Sequence, residues 1–312
     1  MLRLISITLS LIVLTVTLAG AGVLWIFWVY GKGLPDYQQL ANYEPPVVTR
    51  VHAGNGALLA EYASEKRLFV PVEAIPPRLI QAFISAEDKA FYDHFGVDLR
   101  ALARAVITNI VNYGSGRRPV GASTITQQVT KNFLLTNEVS IDRKIKEAIL
   151  SFRMERAFTK DQILALYLNE IYLGRGSYGV AAAALKYFDK SLNQLNLQEM
   201  AYLAALPKAP NNYHPIHNRR AAMARRNWVL REMQQNGYIS EDEAAQAKDM
   251  PLRISVQSGF DGADAPYFTE EVRRQLIRQF GESSLYDGGL SVRTTLDPFL
   301  QQVADNALER GL

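Results

Sequence analysis

Residues Leu4 to Tyr30 carry no charged side chain, and this run limits the fold more than any other stretch of the sequence. At about 27 residues it is long enough to cross a bilayer with some tilt. Trp25, Trp28 and Tyr30 fall at its far end, where amphipathic rings favour the membrane interface. A cleaved signal peptide is the competing reading, because Ala19-Gly20-Ala21 resembles a cleavage site after a short basic start. The run continues for about nine residues past Ala21, which favours an uncleaved anchor. Arg3 is the only charged side chain before the span, so the positive-inside rule puts the N-terminus in the cytoplasm. The remainder then lies outside, in a bacterial periplasm or its equivalent.

The 312 residues suffice for one large domain or two smaller ones. A net charge of +3 does not point to nucleic acid. Cysteine is absent, which excludes disulfides, thiolate metal sites and a cysteine nucleophile. Gly31 to Pro46 reads as a linker broken by glycine and proline. Val47 to Val51 and Leu58 to Tyr62 flank the turn Gly54-Asn55-Gly56 and predict a small β-hairpin. Helical periodicity then dominates up to Met250. Short strand candidates follow at Leu252 to Val256 and Leu290 to Thr295, with a Gly259 to Ala265 loop and a helix near Phe268 to Phe280 between them. Leu99 to Tyr113 is amphipathic, and its spacing fits either a core helix or a lipid-facing one whose Arg100 and Arg104 meet headgroups. Gly114 to Pro119 is a basic loop. Arg219 to Gly237 reads as a helix with a solvated basic face.

Three stretches carry candidate chemistry. Glu87-Asp88 follows an apolar segment, and partial desolvation can raise a carboxyl toward a useful acid or base. Phe91 and His94 fall at i+4 and i+7 from Glu87, on one face if the segment is helical. The plain alternative is a helix end with solvated acids. In Gly121 to Asn132, Ser123 or Thr124 can cap a helix with Gln127 at its third position. Thr124, Gln128 and Lys131 then align, a polar face suited to an anionic ligand. In Ser140 to Phe158, Arg143, Lys144 and Glu147 form either a surface ion pair or a carboxylate held beside two cations that face a diphosphate. Thr159-Lys160-Asp161-Gln162 is a capping box that opens a further helix. His214-Pro215-Ile216-His217 makes a poor metal site.

Five motifs in order carry a resemblance: E-D-K-A-F-Y-D-H-F-G-V-D at Glu87, G-A-S-T-I-T-Q-Q-V-T-K-N at Gly121, R-K-I-K-E at Arg143, K-D-Q-I-L-A-L-Y-L-N-E-I-Y-L-G at Lys160 and A-A-L-P-K-A-P at Ala204. Over roughly Val47 to Tyr238 the chain resembles the peptidoglycan glycosyltransferases, family 51, in the N-terminal part of class A bifunctional penicillin-binding proteins. The resemblance implies a mainly α fold: a lysozyme-like domain with a membrane-proximal jaw, an N-terminal transmembrane helix, a small β-hairpin unit and a partial C-terminal linker. It divides the chain into a cytoplasmic tail (1–3), a signal-anchor (4–30), a linker (31–46), a glycosyltransferase domain (47–250) and the start of a linker toward a transpeptidase domain (251–312). No Ser-x-x-Lys or Lys-Thr-Gly motif is present, so β-lactam binding is not expected.

The implied substrate is lipid II, polymerised with inversion into β-1,4 glycan as undecaprenyl diphosphate leaves. By motif position Glu87 resembles the catalytic base and Glu147 the second catalytic glutamate. Lys131, Arg143 and Lys144 match residues near the donor diphosphate, and Asp88, Phe91, His94, Thr124, Gln128 and Asn132 match other substrate-binding positions. The resemblance makes no cofactor certain and leaves open a divalent cation, Mg2+ or Mn2+. Implied partners are lipid II, the growing glycan strand, the bilayer and other cell-wall synthesis proteins, with the catalytic part on the periplasmic side of the inner membrane. Two other functions compete on the same architecture: a glycan-cleaving enzyme and an inactive membrane-anchored peptidoglycan-binding scaffold. Two departures from the family pattern stand out, Asp189 where glycine is common and His214 where asparagine is common.

Overall fold

The computed structural model describes residues 2–37, 40, 49–62, 68–116, 120–136, 138, 140–255, 265–286 and 288–311. Pro45-Pro46 of the expected linker, Arg117-Arg118-Pro119 of the basic loop and most of the Gly259 to Ala265 loop lie outside the described residues. In chain order the elements are α1 (Leu2–Tyr30), β1 (Thr49–His52), β2 (Leu58–Tyr62), α2 (Pro77–Glu87), α3 (Leu99–Val111), α4 (Ile125–Leu134) and α5 (Ile141–Ala157). They continue with α6 (Lys160–Glu170), α7 (Val180–Phe188), α8 (Leu197–Ala205), α9 (Arg219–Gln235), α10 (Glu241–Asp249), α11 (Pro266–Phe280), α12 (Glu282–Tyr286), β3 (Ser291–Arg293) and α13 (Pro298–Gly311). The chain divides into two compact units, Met1–Tyr43 with Ala90–Leu164 and Glu44–Lys89 with Ala165–Leu312.

In the first unit, helix starts follow the caps that the sequence offers. Asp98 accepts from Arg100 N and Ala101 N, both at 2.9 Å, to open α3. Thr124 and Gln127 form the capping box of α4, and Ser140 caps α5 by accepting from Arg143 N at 3.1 Å. α4 packs on α5 over buried Ile125, Val129, Ile149, Leu150 and Met154. Polar side chains cross the same contact: Thr126 Oγ1 donates to Glu155 Oε1 at 2.6 Å, and the Thr130 and Ser151 hydroxyls meet at 3.3 Å. Gly96, at φ +85°, lets the preceding loop press on α5, because a Cβ there would lie 2.8 Å from the Ser151 carbonyl.

α1 has 29 residues, about 43 Å of helix at 1.5 Å per residue. Its described apolar side chains are exposed, except for half-buried Ile26 and Tyr30 near its C-terminal end. Thr15 and Thr17 return their hydroxyls to Leu11 O (2.7 Å) and Val13 O (2.8 Å), which leaves no donor facing hydrocarbon at those two positions. The C-terminal end of α1 packs on α5: the Phe27 and Phe152 rings meet edge-on at 6.2 Å, and Arg153 Nη2 donates to Gly31 O at 3.1 Å. α3 buries only Ala105, while Leu102, Val106, Ile107, Ile110 and Val111 are exposed. Of the two readings its spacing allowed, the core helix is the one the structure removes.

In the second unit, α2 packs on α8 and α9, with Leu79, Ala82 and Phe83 fully buried against a nearly all-buried α8. The Asn169 amide clamps Val70, giving to its carbonyl and taking from its N–H, both at 2.8 Å. Asp189 ends α7 at φ +55°, the left-handed position that favours glycine and that aspartate tolerates. That accounts for this departure from the family pattern. A smaller core joins the hairpin to residues 265–296: the sheet order is β2-β1-β3, antiparallel then parallel, over buried Val51, Leu59, Leu276, Leu285 and Leu296. The strand expected at Leu252 to Val256 is absent from its described part, where Ser255 N donates to Tyr187 O at 2.8 Å.

Gly96→Ala is expected to destabilise the full chain in detergent by at least about 2 kcal/mol, because backbone strain adds to a collision. Gly56→Ala, at φ +90° with open space around it, should cost only about 1 kcal/mol. Thermal and denaturant unfolding of both variants check the difference.

Candidate active site

The Ser140 cap sets the register that puts Arg143, Lys144 and Glu147 on neighbouring positions of the first two turns of α5. Glu147 is 1% exposed. Its carboxylate takes an ion pair from Arg143 Nη1 on one oxygen and from Lys144 Nζ, at 2.6 Å, on the other. Arg143 also donates through Nε to Glu138 O, and Lys144 reaches Ser123 Oγ at 2.9 Å. From α4 comes Lys131. Burial, and after it the charge of Arg143, holds the Lys131 ammonium below its ordinary value. Lys144 is lowered likewise, by burial, then Arg143, then Lys131. Three cations that repel one another therefore gather around one buried carboxylate, and the excess is positive. Such a group favours an anion.

The other expected residues divide. Thr124 Oγ1 donates to Gly96 O at 2.6 Å and accepts from Gln127 N at 3.2 Å, so its hydroxyl is committed to holding the loop and the helix start. Gln128 is half-buried on α4 and Asn132 is exposed. Glu87, Phe91 and His94 do not share a helix face, because α2 ends at Glu87 with Asp88 as its C-cap and turns follow. Phe91 is fully buried. Lys160 fixes that turn region: Nζ donates to His94 O and Glu155 Oε1, both at 2.7 Å, and lies 4.5 Å above the Phe91 ring. Sequence reasoning quoted Lys160 within a motif but gave it no role. Its place at the first residue of α6, near a buried acid, was not visible without the fold.

Glu87 and Asp88 belong to the second unit. Glu87 is half-buried and Asp88 is 6% exposed. The end of α2 is tied to α9 on both sides of Glu87, by Asn236 Nδ2 donating to Ser85 Oγ at 3.1 Å and by the Lys89–Glu232 ion pair. The Tyr167 hydroxyl is buried, and burial first, then Glu87 and Asp88, pushes it well above the ordinary tyrosine value. It therefore stays a neutral donor throughout the physiological range.

Residues 55–234, which contain Glu87, Lys131, Arg143, Lys144 and Glu147, match the family described as Transglycosylase. The chain belongs to the transglycosylase family. It is 51% identical to penicillin-binding protein 1A of Rickettsia felis over 297 residues, covering 95% of this chain and 38% of that protein. Against penicillin-binding protein 1A of Escherichia coli the identity is 40% over 296 residues, or 95% of this chain and 34% of the relative. The crystal structure of penicillin-binding protein 1A from Haemophilus influenzae superposes with a TM-score of 0.52 at 30% identity, over 85% of this chain and 29% of that one. The chain thus spans less than two-fifths of the length of the curated relatives it matches. These matches agree with the family resemblance read from the five motifs and with the mainly helical fold expected from it.

Within this transglycosylase domain the basic face expected on α9 is not simply solvated. Arg226 is fully buried, and its two Nη atoms donate to Met250 O and Lys248 O at 2.7 Å, satisfying carbonyls at the end of α10. A signal existed, since Ala222, Arg226, Val229 and Met233 keep one helical stripe and Arg226 interrupts an apolar row.

Because Lys131 and Lys144 are lowered, the affinity of the cation cluster for inorganic pyrophosphate should begin to fall at a pH below 10.5, the ordinary lysine value. Deprotonation removes positive charge as pH rises, so the direction is weaker binding in alkali. Isothermal titration of the full chain across that range checks it, with Lys131→Met reducing both the affinity and the slope.

Proposed function

We propose that the chain is a peptidoglycan glycosyltransferase that polymerises lipid II. The observation that carries this reading is the positive excess around buried Glu147 inside a transglycosylase sequence. An acceptor sugar hydroxyl gives its proton to Glu87 as its oxygen bonds to the anomeric carbon of the growing chain. The bond from that carbon to the diphosphate breaks, and undecaprenyl diphosphate leaves with the electron pair. Attack opposite an α-linked leaving group gives a β-1,4 bond by inversion. Lys131, Arg143 and Lys144 hold the departing diphosphate, where positive charge lowers the barrier most. A diphosphate is already a stable anion, so the step needs no strong general acid, unlike glycoside hydrolysis. Glu147 holds the cations in place. Among the described residues no three carboxylates or imidazoles converge, and Glu147 is committed to Arg143 and Lys144. That donor set does not fit a resident divalent cation, and no step is routed through one.

The membrane reading follows from the same substrate. α1 anchors the chain as a single span with the catalytic part on the periplasmic side, and the exposed apolar residues of α3 rest in the bilayer surface where lipid II resides. Arg100 and Arg104 on that helix meet headgroup phosphates.

Glu87→Gln in the full chain should reduce polymer formation from lipid II by about 100-fold or more with melting unchanged. Full activity in that variant would refute the role of Glu87. Release of soluble fragments from finished peptidoglycan would favour the cleaving alternative. For α3, a tryptophan at Ile110 should be quenched by brominated lipids, whereas one at the exposed Glu241 on α10 should not.

A further inference from the structure

Where the end of α1 meets α5, basic side chains gather that no described carboxylate neutralises. Elsewhere on α5 each cation is matched: Arg143 and Lys144 pair with Glu147, and Lys146 pairs with Asp142. Arg153 and Arg156 have no carboxylate partner among the described residues, because Glu155 between them accepts from Lys160 and Thr126 instead. The Arg156 guanidinium lies 4.6 Å from the centroid of the Phe152 ring. Arg153 spends Nη2 on Gly31 O at 3.1 Å. The residue after Gly31 is Lys32, whose ammonium lies 3.7 Å from the centroid of the exposed Trp28 ring. The edge contact of Phe27 and Phe152, at 6.2 Å, ties these groups to one junction within the first unit. An aromatic face draws a cation in but offers its N–H groups no oxygen. Three cations are thus held in place with donors unspent.

We propose that this junction is a binding site for the phosphate of an anionic phospholipid, held among Lys32, Arg153 and Arg156. The inference rests on the reading of α1 as a membrane span. Trp28 and Tyr30 are amphipathic rings of the kind that settle at headgroup level, and the three cations lie at the same end of the helix. At that level the bilayer's own phosphates are the abundant acceptors, and each nearby cation favours an anionic lipid about fivefold. A headgroup with net negative charge balances the surplus, whereas a zwitterionic one brings its own ammonium into it. This site is separate from the cluster around Glu147. From Lys144 to Arg153 the helix axis rises about 14 Å, so one diphosphate does not span both.

Trp28 itself reports on the site. With Trp25→Phe and Trp228→Phe in the full chain, it is the remaining tryptophan. This parent is reconstituted in vesicles of equal parts phosphatidylcholine and phosphatidylglycerol, with bromine on the acyl chains of one lipid or the other. Brominated phosphatidylglycerol should quench Trp28 at least about threefold more effectively. Lys32→Gln with Arg156→Gln, which keeps the Arg153 contact, should remove most of that difference with melting unchanged. Arg219→Gln with Arg220→Gln, an equal loss of charge from exposed positions on α9, should leave it as it is. Equal quenching by the two lipids in the parent overturns the proposal without any variant. An equal loss in the α9 control also overturns it, since the attraction is then diffuse. So does a difference that vanishes when undecaprenyl diphosphate is added, which would give the site to the leaving lipid instead. Absence of quenching by either lipid would overturn the reading of α1 as a span, and the site with it.

Discussion

A carboxylate with 1% exposure cannot stay charged alone, and Glu147 has two cations on its own helix. Leaving such a group unpaired costs about 3–5 kcal/mol. The pairing therefore dictates the start of α5. Ser140 must cap the helix so that positions 143, 144 and 147 converge, and α4 must lie alongside so that Lys131 joins them. The result is overcompensated: one negative charge draws in three positive ones, of which two are depressed by burial and by mutual repulsion. A surplus of this kind is held at some cost in stability, and an anionic ligand relieves it.

The same helix carries a second obligation. Farther along α5, Phe152 and Arg153 receive the end of α1. The apolar span and the cation cluster are thus joined through about two turns of one rigid element, 147 to 153. This coupling holds the cation cluster at a fixed distance from the end of the apolar helix. The exposed apolar face of α3 lies in the same compact unit.

Much of this was legible before any coordinates. Caps at Asp98, Thr124, Ser140 and Thr159 rest on local hydrogen bonds, and those at Thr124 and Thr159 were read from the sequence. The i, i+3 and i, i+4 spacing of Arg143, Lys144 and Glu147 is likewise local. What the sequence did not reveal was burial. The pattern of α3 fits a core as well as a lipid surface, because periodicity states which residues share a face and not what lies opposite. Arg225 and Arg226 looked solvated because adjacent arginines usually are, yet tertiary packing claimed both. The conditional helix through Phe91 and His94 failed because α2 stops at Glu87, where Asp88 leaves helical geometry with φ −158° and ψ 78°. The pairing of β3 with β1, separated by more than two hundred residues, is long-range and has no local signature.

The decisive measurement is the fate of labelled lipid II mixed with the full chain in vesicles. Glycan longer than a tetrasaccharide, with only β-linkages and one undecaprenyl diphosphate released per bond, is the expected result. Disaccharide units that stay unlinked while the folded chain binds the lipid, or diphosphate released to water without a new glycosidic bond, would contradict it.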